Sequence, residues 1–205
     1  MHFGALLKSF IYIVSSSLLY PVLFLLTFLT LVVLVYTGSF IAELIERKRI
    51  KKIAPEKIVE IVDSGNIGQY FSHSVLEYYA SLKKILTIDV SIRDSAVENL
   101  LQKKIINLKK TLDRTGMIVR IGPGLGLIGT LIPMGTGLAS LGQGDMTKLS
   151  SDLVIAFTTT VAGLTLSLVA YFINSIKKRW VEEDISMMEY ISEIVCRGGE
   201  KDEVH

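Results

Sequence analysis

The chain has 205 residues, of which 50% are hydrophobic, with a mean hydropathy of +0.47 and a formal net charge of +2. This hydropathy is high for a soluble domain and predicts a membrane protein, and so apolar a chain argues against a nucleic-acid binder. Cys196 is the only cysteine, which excludes a disulfide within the chain, and the three histidines are scattered. We therefore expect neither a metal site nor a cofactor.

The first apolar region contains no charged residue from Ser9 to Ala42. This run is too long for a signal peptide, and no cleavage site with small residues stands out, so we expect the region to be retained. Pro21 divides it. Residues 1–17 are predicted to form an amphipathic helix along the membrane surface. Residues 18–43 are predicted to be the first transmembrane helix, with about the length that crosses ~30 Å of hydrocarbon.

A basic cluster follows the first span: Arg47, Lys48, Arg49, Lys51 and Lys52. By the positive-inside rule this cluster places residues 44–117 in the cytoplasm. The last part of this region carries one apolar stripe typical of a helix: Val97, Leu101, Ile105, Leu108 and Leu112. No clear breaker precedes Ile121, so the helix is expected to run into the second span. The region has no catalytic constellation and is predicted to be a solvated helical bundle.

The second and third spans are predicted over residues 118–142 and 152–176. The outer loop between them, residues 143–151, has no basic excess around Asp145, Lys148 and Asp152. The third span ends at a basic run, residues 177–179, and residues 177–205 form a cytoplasmic C-terminal helix and tail. The predicted fold is therefore an all-α membrane protein. It has three transmembrane helices with long cytoplasmic helical extensions, its N-terminus outside and its C-terminus inside.

Both later spans carry one face of small or polar residues at helical spacing. In the second span this face comprises Gly122, Gly126, Gly129, Pro133, Thr136 and Ser140. In the third span it comprises Ala156, Thr160, Gly163, Ser167, Ala170 and Asn174. Such faces either pack helices closely, which is their commoner use, or line a pathway or cradle another helix. Lipid rejects an unsatisfied polar stripe, so each face must meet protein or water.

Two features of these spans concern ion conduction. Pro123 and Pro133 lack an N–H, so each frees a nearby carbonyl, which produces either a simple kink or a polar cavity. No Asp, Glu, Lys, Arg or His lies between Ile121 and Gly144 or between Leu153 and Ile176. A proton relay normally needs an ionisable group within the membrane. A conducting assembly would therefore take its carboxylate from another chain.

The two spans also carry motifs of a known family. The run GPGLGLIGTLIPMG, residues 122–135, resembles the second-span motif of the MotA/TolQ/ExbB proton channel family, in which a Pro precedes Leu-Gly-Leu-x-Gly-Thr. The run AFTTTVAGLTLSLVAYFIN, residues 156–174, resembles the third-span motif, with Thr-x-x-Gly-Leu and a terminal Asn. The order of spans and the large insertion after the first also resemble this family. The chain departs from the ExbB/TolQ pattern at Pro133, where Gly is usual, and lacks an acidic residue at the inner end of the third span.

The resemblance implies a homopentamer around a dimer of single-span partners of the ExbD, TolR or MotB type, which supply the intramembrane Asp. It implies a prokaryotic inner membrane. By motif, Thr130 and Thr160 correspond to the family's pore threonines. The further candidates for the ion pathway are Thr158, Thr159, Pro133, Ser167 and Asn174. The candidates for close helix packing are Gly122, Gly126, Gly129 and Gly163.

The expected function is thus the pore-forming subunit of an ion-driven membrane motor or energy transducer, conducting H⁺ or Na⁺, whose partner does work outside the membrane. The alternative is a non-conducting membrane scaffold that oligomerises through its small-residue helix faces. An enzyme is the weakest hypothesis, because the spans offer no nucleophile–base pair. The Gly-rich run at residues 122–126 also lacks the Lys of a phosphate-binding loop.

Overall fold

The described part of the chain is helical apart from short connections. This computed structural model describes residues 17–50, 70–85 and 90–201, together with Leu6, Phe10, Ile13, Val14 and Ile58. These residues form α1 (Leu19–Arg49), α2 (His73–Ile85), α3 (Val90–Leu141) and α4 (Met146–Lys201). Three of the helices, α1, α3 and α4, are long and apolar enough to cross a membrane. The prediction of an all-helical protein with three such helices is confirmed, whereas most of the predicted helix over residues 1–17 lies outside the described residues.

Helix α1 extends past the predicted end of the first span at Glu43 and reaches Arg49. Pro21 lies in its first turn, where a missing N–H costs no helical hydrogen bond. The hydroxyls of Thr27, Thr30 and Thr37 each donate to the carbonyl four residues earlier, at 2.8 to 2.9 Å. These local bonds satisfy three hydroxyls within the apolar part of the helix.

Helix α3 runs without interruption from Val90 to Leu141, so the polar helix does continue into the second predicted span. It contains Pro123 and Pro133. Helix α4 likewise continues through the basic run at residues 177–179 to Lys201.

The turn between α3 and α4 is shorter than the predicted loop over residues 143–151, because α4 begins at Met146. Gly144 has a φ of 81°, a conformation that glycine adopts without steric cost. The Asp145 carboxylate accepts a hydrogen bond from the Lys148 N–H at 3.0 Å and so caps the start of α4. This cap starts the helix early enough to place Asp152 within α4.

The chain divides into two compact units, residues 1–38 with 114–174 and residues 39–113 with 175–205. In the first unit, α1, α3 and α4 share a buried apolar cluster: Val22, Leu26, Val33, Ile118, Leu125, Leu166 and Ala170. In the second unit, the buried cluster joins α2 to parts of α3 and α4: Ile58, Phe71, Val75, Tyr78, Leu82, Val97, Met188 and Ile191.

The second unit also contains a buried ion pair. The two terminal nitrogens of the Arg47 guanidinium, Nη1 and Nη2, each donate to one carboxylate oxygen of Asp184. The side chains of Arg47 and Asp184 are only 16% and 7% exposed. The Ser72 hydroxyl donates to the same carboxylate at 2.9 Å, and the guanidinium carbon lies 4.9 Å from the centroid of the Trp180 ring. The sequence pattern marked Arg47 only as part of a basic cluster and gave no indication of this pairing.

A more exposed ion pair joins α2 to α3 in the same unit. Lys104 lies 2.6 Å from the Glu77 carboxylate, and its hydrogen bond and positive charge hold the pKa of Glu77 below the ordinary value.

Candidate functional site in the α3–α4 hairpin

The small faces of α3 and α4 pack directly against each other. A Cβ added at Gly163 would lie 2.7 Å from the carbonyl oxygen of Gly122 and 2.8 Å from the Cα of Gly126. A Cβ at Gly129 would lie 2.8 Å from the Cβ of Thr159. We call this contact, formed by Gly122, Gly126 and Gly129 with Thr159, Gly163 and Ser167, the seam. Within one chain, these glycines are therefore used for close helix packing.

The two motif-matched threonines meet across the seam. The hydroxyls of Thr130 and Thr160 are hydrogen-bonded to each other, and both side chains are half-buried. Thr130 Oγ1 also lies 2.8 Å from the Gly126 carbonyl oxygen, and Thr160 Oγ1 lies 3.2 Å from that of Ala156. A hydroxyl has one proton to donate and two lone pairs. The two hydroxyl oxygens therefore keep lone pairs that can accept further hydrogen bonds. They lie between two helices whose facing residues are otherwise small.

Two more polar contacts join α3 to α4 at the end of the hairpin that lies away from the turn. Ser167 Oγ donates to the Val119 carbonyl at 3.3 Å. Nearer the end of the first unit, Thr115 donates to the side-chain oxygen of Asn174 at 2.7 Å. Both predicted candidates, Ser167 and Asn174, therefore bond to groups of α3.

The other predicted residues have different surroundings. Thr159 is 4% exposed and its hydroxyl bonds carbonyls of its own helix. Pro133 is among the most deeply buried side chains of the described residues. Thr158 is exposed, donates to the Val154 carbonyl at 2.7 Å and lines a groove with Thr30 and Thr165. The structure thus brings Thr130, Thr159 and Thr160 to the seam and places Thr158 on another face of α4.

The sequence pattern did not indicate one polar contact between α3 and α4. Thr136 Oγ1 donates to a carboxylate oxygen of Asp152 at 2.7 Å, at the end of the hairpin near the turn. We predicted Thr136 on the small face of α3 but grouped Asp152 with the charges of the loop. The spacing of four residues between Asp152 and Ala156 was the available signal, because it places the carboxylate on the small face of α4.

The opposite face of α4 is bulky, apolar and exposed: Val154, Phe157, Val161, Leu164, Leu168 and Phe172. It is therefore suited to lipid or to another apolar protein surface. Among the described residues, no group of three or more His, Cys, Asp or Glu side chains is placed to hold a metal ion. The hairpin can offer hydroxyls and carbonyls to an ion, and near its turn the Asp152 carboxylate contacts Thr136 of α3.

Comparison with known proteins places these features in a family. The sequence profile of the MotA/TolQ/ExbB proton channel family matches residues 74–190. A putative biopolymer transport protein ExbB homolog of Methanothermobacter thermautotrophicus is 26% identical over 133 residues, which cover 64% of this chain and 47% of that protein. The chain thus spans about half the length of the curated relative it matches.

The profile match covers more than half of the chain, including nearly all of α2, the whole of α3 and most of α4. It includes Thr130, Thr160 and the glycines of the seam. Together with three helices long and apolar enough to cross a membrane, it indicates a multi-pass membrane protein. The chain belongs to the MotA/TolQ/ExbB proton channel family.

Proposed function

We propose that this chain is the pore-forming subunit of an ion-driven energy transducer and that Thr130 and Thr160 form part of its ion pathway. The observation that carries the proposal is the contact between these two hydroxyls, in a hairpin whose sequence matches a proton channel family. Hydroxyl oxygens can solvate a proton or Na⁺ in an apolar environment where water is scarce.

The proposed mechanism needs a carboxylate from a partner. Between Leu153 and Ile176 the chain has no Asp, Glu, Lys, Arg or His, so Thr160 can solvate an ion but no neighbouring carboxylate of this span stores a proton. A single-span partner with an intramembrane Asp would supply the carboxylate. Ion flow down the membrane potential, worth ~2.3 kcal/mol per charge per 100 mV, would neutralise and release that Asp in turn. Repeated neutralisation would let the partner helices rotate or shift and do work outside the membrane.

The proposed arrangement is a homopentamer in a prokaryotic inner membrane, with the α3–α4 turn outside. The exposed apolar faces of the long helices support it, because they must be covered by lipid or by further copies of the chain. The basic residues at the end of α1 support a cytoplasmic position for that end. The name of the archaeal relative, a putative biopolymer transport protein, suggests transport of a macromolecule as the load.

The test is Thr160→Val in the complex of the full chain with its co-purified partner. Valine keeps the side-chain shape and removes the hydroxyl. We expect an unchanged subunit ratio by native mass spectrometry and loss of ion uptake into proteoliposomes under an imposed potential. Thr27→Val is the matched control, because within the described part of the chain that exposed hydroxyl bonds only the Leu23 carbonyl of its own helix. A Thr160→Val complex with a normal subunit ratio and full uptake would contradict the proposal.

The second candidate function is a non-conducting scaffold. It is favoured by the seam, since every glycine in it is already used for packing between α3 and α4. The same experiment separates the two functions. A scaffold would show no ion uptake in the wild-type complex and would purify without a single-span partner carrying an intramembrane Asp.

A further inference from the structure

The carboxylate of Asp152 lies on the small-residue face of α4, at the end of the hairpin near the turn. We propose that Asp152 is a cation-collecting residue, which draws a monovalent cation, either hydronium or Na⁺, to the mouth of the path that leads to Thr130 and Thr160. This inference rests on the proposed function, because it assigns one end of the same ion pathway. It adds a charged residue of this chain to a path that otherwise depends on the partner's carboxylate.

The contacts of Asp152 leave its negative charge uncompensated. The Thr136 hydroxyl, a neutral donor, bonds one of its oxygens at 2.7 Å. The ion pairs found in the described part of the chain involve other carboxylates, so no Lys, Arg or His there lies within 4.0 Å of it. The side chain is half-buried beside Gly137, whose added Cβ would lie 3.2 Å from the Asp152 Cβ. A fixed, unpaired carboxylate in such a position attracts mobile cations.

Two other charged residues, Asp145 and Lys148, lie near Asp152 on the turn and on α4. In the described part of the chain, neither of their side chains hydrogen-bonds to α3 as that of Asp152 does. The Asp145 carboxylate caps α4 through the Lys148 N–H, and both residues are exposed. Lys148 lies one helical turn before Asp152 without forming an ion pair with it among the described residues. From α3, the uncharged residues Thr136 and Gly137 contact Asp152. Of these two carboxylates, that of Asp152 is thus the one that faces α3.

Asp152 is also aligned with the threonine pair. Asp152, Ala156 and Thr160 are spaced by four residues and share one face of α4, over a rise of about 12 Å. The Ala156 carbonyl oxygen lies between them in sequence and is 3.2 Å from Thr160 Oγ1 and 3.3 Å from Thr130 Oγ1. A carboxylate, a carbonyl and two hydroxyls therefore follow one another along the face. All four groups are oxygen ligands suited to hydronium or Na⁺.

The test measures initial uptake rates in proteoliposomes that contain the full chain with its co-purified partner. External H⁺ and Na⁺ are varied in separate arms, and N-methyl-D-glucamine chloride holds the ionic strength constant. Asp152→Asn removes the charge and keeps an oxygen for the Thr136 hydroxyl to bond. We expect it to raise the cation concentration for half-maximal uptake about ten-fold while the maximal rate is retained, because fixed charge acts on local ion concentration. The arm that shows this shift identifies the cation.

The matched control is Asp145→Asn, which removes the same charge from the same end of the hairpin and preserves the helix cap, because Asn caps as well as Asp. Its half-maximal concentration should stay at the wild-type value. Equal shifts in the two variants, or an Asp152→Asn curve that overlays the wild type, would overturn the inference. Asp152→Ser serves as a second variant if Asp152→Asn does not assemble. Absence of uptake in the wild type would instead overturn the proposed function, and the inference would fall with it.

Discussion

Ser167 on α4 donates a hydrogen bond to the carbonyl of Val119 on α3 at 3.3 Å. Pro123 stands four residues after Val119 and has no N–H, so it cannot make the helical hydrogen bond to that carbonyl. The hydroxyl of one helix thus replaces the donor that proline removes from the other. This explains how α3 remains continuous at Pro123 within an apolar hairpin, where an unsatisfied carbonyl is costly.

We predict that Ser167 and Pro123 are energetically coupled. Ser167→Ala leaves the Val119 carbonyl without its donor and should lower the free energy of unfolding by about 1 kcal/mol. In a Pro123→Ala background, the new N–H at position 123 can donate to the same carbonyl, so Ser167→Ala should cost about half as much or less. A double-mutant cycle by denaturation in one detergent measures the coupling. Equal costs of Ser167→Ala in the two backgrounds would contradict it.

The distance between α3 and α4 is predicted to depend on Gly163. Gly163→Ala places a methyl group 2.7 Å from the Gly122 carbonyl oxygen, so the helices must separate, at a cost of about 1–3 kcal/mol. Gly124→Ala is the control, because an added Cβ there meets nothing within 4 Å, and alanine favours a helix by up to about 1 kcal/mol. Thermal unfolding of both purified variants should show shifts of opposite sign. A Gly163→Ala protein as stable as the wild type would exclude the close contact.

The ion pair of Arg47 with Asp184 supports a prediction for the second unit. Arg47→Met leaves the buried Asp184 carboxylate without its counter-charge and should cost about 3–5 kcal/mol. Arg179→Met, at a side chain that is 76% exposed and ion-paired with Glu183 of its own helix, should cost less than about 1 kcal/mol. The double variant Arg47→Met/Asp184→Leu should recover most of the lost stability, because it leaves no buried charge.

Unfolding free energies of the wild type and of these three variants check the prediction. Equal losses in Arg47→Met and Arg179→Met would show that the buried pair contributes no more than a surface pair.

Much of the hairpin could be predicted from residue spacing alone. Gly122, Gly126 and Gly129 recur at helical intervals, as do Thr160, Gly163 and Ser167, so the small face of each helix was evident before any contact was known. The matched motifs also identified Thr130 and Thr160, which the structure brings into contact. Helix α4 starts at Met146, inside the stretch predicted as the outer loop, because Asp145 acts as its cap.

By itself the sequence determined the helical class, the three long apolar segments and the side of each helix that carries small residues, because these depend on composition and local periodicity. Only the tertiary structure decided which groups meet. Arg47 and Asp184 are 137 positions apart, and Thr136 and Asp152 lie on different helices. Helical periodicity gives the direction of a side chain from its own axis and contains no information about the neighbouring helix. Such pairings therefore appear only when the helices are packed together.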